Sequence, residues 1–566
     1  MDRQRQAHHG TERQEEDAGL PRHVRVAIVG SGFGGLGAAV RLRQEGITDF
    51  VVLERGDAVG GTWRDNTYPG AACDVPSHLY SYSFAPNPDW RRAFSQQSDI
   101  RAYTEQVTDV FGIRPHLRLH HEVCRLTWDG AALLWRIETT GADFTADVVV
   151  SATGPLSDPV VPDVPGIDGF PGEIFHSSRW DHGTELSGKR VAVIGTGASA
   201  VQIVPRVQPA AAALTVFQRT PPWVLPKLDR PITAAERLLH RHIPLTAAAR
   251  RGALWAVREL QVRAFTRGTG EMGAAQAIAR AHLARQVKDP ALRAALTPTY
   301  RMGCKRVLLS NDYYPALTRP NTTVVGSGLA EVRGSMLVAD DGTTTEADVI
   351  VFATGFRPTS LPVAERVVGA AGTTLAESWD RGMRSLRGTA VDGFPNFLTI
   401  IGPNTGLGNS SMILMIESQL NYLADFLRQL RILGGHTALA PRPEAVASWG
   451  DFVGQRLERS VWNTGHCRSW YLDRFGRNTT LWPGTTGEFR RLLREVDLGE
   501  YEIIRAAPAP ASAAPAPASA SAPSAPAPAS APAPAPSAPA SAPAASGRSA
   551  AAAVPSTTAP APEAAA

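Results

Sequence analysis

The sequence predicts an α/β protein of two interleaved parallel-sheet units, with a helical insertion and a low-complexity tail. Three observations carry this. An apolar run ends at a glycine turn twice, first at Gly30-Ser31-Gly32-Phe33-Gly34-Gly35 and again, 165 residues on, at Gly195-Thr196-Gly197-Ala198-Ser199-Ala200. Each turn is followed by a helical pattern and a second apolar run. Two further apolar runs, 147–150 and 348–351, lead into Ser151-Ala152-Thr153-Gly154 and Phe352-Ala353-Thr354-Gly355, which read as strand ends where the chain crosses between the units.

In the first unit, residues 23–29 form the buried strand, 36–44 the helix and 49–54 the second strand, ending on Glu54. The sequence strand, GxGxxG, helix, strand, acid is the Rossmann-like dinucleotide fingerprint. Gly30 permits the tight turn, Gly32 lets the backbone approach a pyrophosphate, and Gly35 lets helix and strand pack closely. The helix N-terminus offers free N–H groups and a positive dipole end to the phosphates. Glu54 lies 24 residues past Gly30, where a carboxylate meets a ribose diol. A second glycine cluster, Gly60-Gly61-Thr62-Trp63, resembles the one that packs near the flavin in two-dinucleotide-domain flavoproteins. FAD is therefore the expected ligand here.

In the second unit, residues 189–194 run into the second turn, where Ala200 takes the third glycine position, an accepted variant. The following strand, 214–218, ends in Arg219-Thr220, where an NAD site carries an acid. An arginine there pairs with a 2′-phosphate through a charge-assisted fork, which favours NADPH over NADH.

Composition bounds the rest. The 566 residues leave room for several domains at roughly 100–200 residues each. A net charge of +4 is too small to argue for nucleic acid or a membrane surface. No apolar run approaches the roughly 20 residues that span a bilayer. Residues 1–21 are polar, without the apolar core of a secretory signal, and read as a disordered leader. From about Ala507 the chain is nearly all Ala, Pro and Ser, which cannot offset its own ordering entropy; 506–566 reads as a disordered tether. Cys73, Cys124, Cys304 and Cys467 show no metal or redox spacing. They predict a reduced, cytoplasmic protein without a metal site.

Between the turns lies Phe170-Pro171-Gly172-Glu173-Ile174-Phe175-His176-Ser177-Ser178-Arg179-Trp180-Asp181. Here the chain resembles the type I Baeyer–Villiger monooxygenases. The family fingerprint matches at Phe170, Gly172, His176, Trp180 and Asp181. A second pattern matches at Gly61, Trp63, Tyr68, Pro69, Gly70 and Asp74, and a third at Gly303-Cys304-Lys305-Arg306. The resemblance spans 22–505, including Gly402-Pro403-Asn404-Thr405-Gly406.

The resemblance implies an FAD- and NADPH-dependent enzyme that inserts one oxygen of O₂ beside a ketone carbonyl, through a flavin C4a-peroxide, giving an ester or lactone. The anionic oxygens of that chemistry need a fixed positive charge in a site closed to water. Arg306 matches the family arginine in that role, and Asp74 the carboxylate that orients it. The resemblance also gives cofactor contacts to Phe33, Arg55, Thr62, Trp63 and Tyr80, and to Ala198, Ser199, Gln202 and Asn404. Lys305 would join Arg219 and Thr220 at the NADPH phosphate. His176 would couple motion of the two units. The small-molecule ketone is left open among linear, cyclic, aryl and steroid classes.

The implied layout is an FAD domain at 22–155 and 385–505, an NADPH domain at 156–224 and 300–384, and a helical insertion at 225–299. Within the insertion, 234–240 and 274–287 read as helices. Departures from the family are Arg64-Asp65 in place of an aromatic, Thr67 in place of an arginine, and Leu407-Gly408-Asn409-Ser410 without a histidine before the asparagine. The alternatives are a flavin monooxygenase acting on nitrogen or sulfur, which would not need Arg306 or Asp74, and a non-catalytic flavoprotein. A disulfide reductase is disfavoured because no redox CxxC or Cx₄C exists.

Overall fold

The computed structural model describes residues 19–506, apart from 268, 269 and 468. The expected leader and tail lie almost wholly outside those residues. The first sheet is built around β1 (His23–Val29), flanked by the parallel strands β2 (Phe50–Leu53) and β6 (Phe144–Ser151). β3 (Leu117–Arg118) continues it beyond β2, while β5 (Leu134–Thr139) and β4 (Val123–Asp129) extend it beyond β6. Val26, Ala27 and Ile28 are fully buried, as expected for a strand covered on both faces. Helix α1 (Phe33–Gln44) crosses from β1 to β2 and packs on a long helix, Met412–Leu433, from the C-terminal part of the chain.

The second sheet is wholly parallel. Its strands are β7 (Glu173–His176), β8 (Arg190–Ile194), β9 (Ala213–Phe217), β10 (Thr322–Val325) and β11 (Val349–Phe352), in the order β10-β9-β8-β11-β7. Helix α2 (Ala198–Val207) follows its glycine turn. The two crossings run side by side, with Val160 N–H donating to Gly355 O at 2.9 Å. The interleaved α/β architecture is thus as the sequence predicts.

Three expectations change. First, the return to the first sheet comes before residue 385. Val367–Val368 pairs with Leu126–Thr127 of β4, and Leu361, Val363, Leu375, Trp379 and Met383 share a buried core with Val24, Val51 and Val149. Residues 361–384 therefore pack with the first unit, because their apolar side chains complete the face of β1, β4 and β6. Second, the insertion holds an unforeseen 24-residue helix, Pro244–Arg267, besides Ala234–His242 and Gly270–Gln286. Its apolar residues do not form one stripe: Leu245, Val257 and Leu260 are exposed while Val262 and Ala264 are buried. Third, Cys304 and Cys467 form a disulfide, with Cα atoms 6.3 Å apart. The expectation of four reduced cysteines fails here, because a pairing across 163 residues leaves no local spacing. No helix among the described residues is long and apolar enough to cross a membrane.

Candidate active site

The first glycine turn needs its glycines. Gly30 sits at φ +100°, and a Cβ on Gly35 would lie 1.8 Å from the Gly30 carbonyl oxygen. The second cluster backs onto it: a Cβ on Gly61, itself at φ +52°, would lie 3.0 Å from the Gly32 Cα. Two bare backbone turns thus face each other across a groove. They open on a cavity of about 320 Å³ bordered by Gly30, Gly32, Phe33, Glu54, Arg55, Gly61, Thr62, Trp63, Tyr80 and Arg306. Trp63 Nε1–H donates to Tyr80 Oη at 3.0 Å, which fixes both rings in the wall.

Glu54 closes the groove and is itself tightly held. Ser31 N–H and Oγ–H donate to its Oε2 at 3.1 and 2.7 Å, and Arg64 Nη1–H donates to Oε1 at 2.6 Å. Burial pushes this carboxyl up, but the Arg64 charge and the hydrogen bonds of Arg64, Ser31 and Gly56 outweigh it and hold it below its ordinary value. Arg64 is the functional residue the sequence reading missed. It appeared there only as a departure: it sits on the short helix Thr62–Asp65, and its partner lies ten positions back, just past the end of β2.

The second turn is more open. Gly195 adopts φ +118°, and a Cβ there would meet Ala353 O at 2.6 Å, whereas nothing lies within 4 Å of a Cβ on Gly197. Thr196 Oγ1–H donates to Thr220 O at 2.9 Å, tying the turn to the end of β9. Burial lowers the Lys305 pKa, and repulsion from Arg219 adds to it. No residue of the second turn borders the first cavity.

Arg306 and Asp74 meet as a two-point pair, with Nε–H donating to Oδ2 and Nη2–H to Oδ1, each at 2.8 Å. The charge of Asp74 holds Arg306 above its ordinary value. Burial pushes Asp74 up, but Arg306 outweighs burial and leaves it ionised. The neighbouring Cys73 thiol is pushed up to about 12 by burial and stays neutral. Tyr471, 1% exposed, lies near enough to Arg306 to feel its charge.

The linker fingerprint is structural in its local geometry. A Cβ on Gly172 would lie 2.0 Å from Asp348 O, so the linker presses against the strand start. Phe170 is buried in the core beside β11, and Trp180 meets Phe175 edge to face. His176 ends β7, and its Nδ1 accepts from Ser178 N–H at 3.1 Å. Burial takes its pKa down to about 4, so the imidazole is neutral. Asp181 caps the next turn, accepting from Gly183 N–H and Thr184 Oγ1–H.

Two expected cofactor residues also have partners within the protein. The Gln202 amide accepts from Ala72 N–H at 3.2 Å and donates to Ala72 O at 2.9 Å, joining α2 to the segment before Asp74. Asn404, at φ +56°, donates to the carbonyls of Asn478 and Leu481; its neighbours Gly402, Thr405 and Gly406 border the cavity instead. Both residues hold backbone in place because their amides find carbonyl partners the sequence does not reveal. Ala198 and Ser199 open α2.

Known proteins resemble this chain over most of its length. A family model described as pyridine nucleotide-disulphide oxidoreductase matches residues 27–233, which include both glycine turns. A Baeyer–Villiger monooxygenase of Streptomyces coelicolor is 68% identical over 86% of this chain and 94% of its own. The crystal structure of cyclohexanone monooxygenase from Rhodococcus sp. Phi1 bound to NADP+ superposes with a TM-score of 0.76 at 29% identity, covering 86% of this chain and all of that one. The structure of the OTEMO complex with FAD and NADP superposes with a TM-score of 0.75 at 26% identity, covering 85% of this chain and 99% of that one. At 68% identity over most of both chains the relationship is direct: the chain belongs to the Baeyer–Villiger monooxygenase family of flavin-dependent oxidoreductases.

Proposed function

We propose that this enzyme uses NADPH and O₂ to insert one oxygen atom beside a ketone carbonyl, releasing an ester or lactone. The observation that carries the reading is the Arg306–Asp74 pair at the edge of the cavity formed by the facing glycine turns. FAD fits that cavity: a Cβ on Gly61 would fill the cradle for the pyrophosphate, and Glu54 stands at the ribose end. NADPH fits the second turn, where Arg219 and Lys305 supply the positive charge for a 2′-phosphate. When bound, the reduced flavin supplies the activation of O₂.

The protein's own residues supply charge and geometry. Arg306 keeps its proton at every working pH, so it acts by fixed charge and not by proton exchange. Asp74 engages two of its N–H groups and sets the plane of the guanidinium, leaving the others for negative oxygen developing on the reacting carbonyl. Heteroatom oxygenation does not need this anion-stabilising charge, which is why the pair favours ketones.

The test is product identification. The FAD-loaded enzyme is supplied with NADPH, O₂ and a panel of cyclic, aryl and linear ketones plus one thioether, and mass spectrometry seeks a single added oxygen. Ester or lactone is expected. Arg306→Ala should cut its formation about 10²–10³-fold while flavin reduction by NADPH persists. Sulfoxide alone would overturn the reading.

A further inference from the structure

The disulfide stands where the active site is assembled from three separate stretches of chain. Cys304 precedes Lys305 and Arg306, and is 1% exposed. It packs with Trp223, Ala264, Met272 and Tyr300, so it also touches the helical insertion. Cys467 is half-buried and lies three residues before Trp470, which borders the cavity, and four before Tyr471. The two backbones are pressed together: a Cβ on Gly465 would lie 2.5 Å from Cys304 Cβ, and Arg301 N–H donates to Gly465 O.

We propose that Cys304 and Cys467 form a reversible dithiol–disulfide clasp, closed by hydrogen peroxide and opened by dithiols, that locks the Trp470–Tyr471 segment onto the Arg306 loop. Peroxide is what a flavin monooxygenase releases when reduction of O₂ is not followed by oxygen transfer. In closing, the Cys467 thiolate attacks peroxide, the O–O bond breaks, and a sulfenic acid forms as one water leaves. Cys304 then attacks that sulfur, forming the S–S bond and expelling the second water. Two thiols and one peroxide thus give one disulfide and two waters. In opening, a dithiol attacks the more accessible Cys467 sulfur, and the electron pair leaves on Cys304, which takes a proton. The second thiol of the reductant releases Cys467, so two electrons and two protons are transferred. Closed, the clasp holds Tyr471 beside Arg306 and improves delivery of oxygen per NADPH.

This inference rests on the proposed role of Arg306, and its test separates the two. The FAD-loaded full chain is treated with hydrogen peroxide or with dithiothreitol, then digested without reduction. The peroxide sample should yield a peptide joining Cys304 to Cys467, with Cys73 and Cys124 unjoined. Hydrogen exchange of amides in 463–467 and 469–472 should quicken about tenfold in the dithiothreitol sample. Cys467→Ser should show the fast exchange under both treatments; it is the chosen variant because it leaves buried Cys304 in its apolar surroundings. With a ketone that is turned over, opening the clasp should raise peroxide released per NADPH about threefold while the rate of flavin reduction is unchanged. Absence of the joined peptide, or equal exchange in both samples, would overturn the clasp. Should no ketone be oxygenated, the joined peptide and the exchange still decide the clasp while the ketone reading alone falls.

Discussion

The two glycine turns begin alike and end with opposite charge. The first runs to Glu54, a buried acid ringed by Ser31, Gly56 and Arg64. The second runs to Arg219, whose charge repels Lys305. They differ in support as well. A second glycine turn braces the first, while Gly197 of the second faces open space. One local pattern thus builds a closed turn in the first unit and an open one in the second. The difference lies in what the strand end carries and what stands behind the turn.

The sharpest way to break this contrast is to add one methyl group at each turn. Gly35→Ala places a Cβ 1.8 Å from Gly30 O, and the protein should purify without bound flavin, read from the absorbance ratio of flavin to protein. Gly197→Ala meets no protein atom within 4 Å and should keep its full flavin content, with any effect confined to the KM for NADPH.

Removing the cation behind Glu54 comes next. Arg64→Gln leaves a buried carboxylate without its partner, a loss of about 3–5 kcal/mol for such pairs. The sign of the pH effect follows from Glu54, held below its ordinary 4.5 in the folded protein. A depressed carboxyl contributes stability that is complete above the ordinary range and is lost as pH falls through the folded-state value. Wild-type enzyme should therefore keep its flavin down to the ordinary glutamate range. In Arg64→Gln burial is opposed only by the Ser31 and Gly56 hydrogen bonds, and release, followed by flavin fluorescence, should begin at higher pH.

Arg219→Ala should raise the KM for NADPH about 10–100-fold, the worth of hydrogen bonds to a charged group, leave the KM for NADH unchanged, and change kcat less. The smallest effect belongs to His176. Its pKa of about 4 makes it neutral throughout the working range, so His176→Asn should leave the shape of the pH–rate profile between pH 6 and 9 unaltered. A lost limb there would make it a proton carrier.

What the sequence reveals here is what is encoded locally. β1 occupies the expected 23–29, and both glycine turns fall at the expected strand ends, because an apolar run and a glycine turn are neighbours in the chain. The Arg306–Asp74 meeting across 232 residues was legible only through family resemblance, since no periodicity brings 74 and 306 together. Arg64 answering Glu54, Asn404 answering Asn478 and Cys304 answering Cys467 are tertiary pairings without local signals. Helix Pro244–Arg267 escaped for another reason: packed on some turns and wet on others, it carries no single apolar face to read.

The Gln202 side chain acts as a rivet between the two units. Its amide is fastened to both backbone groups of Ala72, its oxygen also accepts from Tyr68 Oη, and Gly70 lies so close to α2 that a Cβ there would sit 2.7 Å from Gln202 O. Asp74 is two residues beyond Ala72. The position of α2 and that of the carboxylate paired with Arg306 are therefore fixed through one short stretch of backbone.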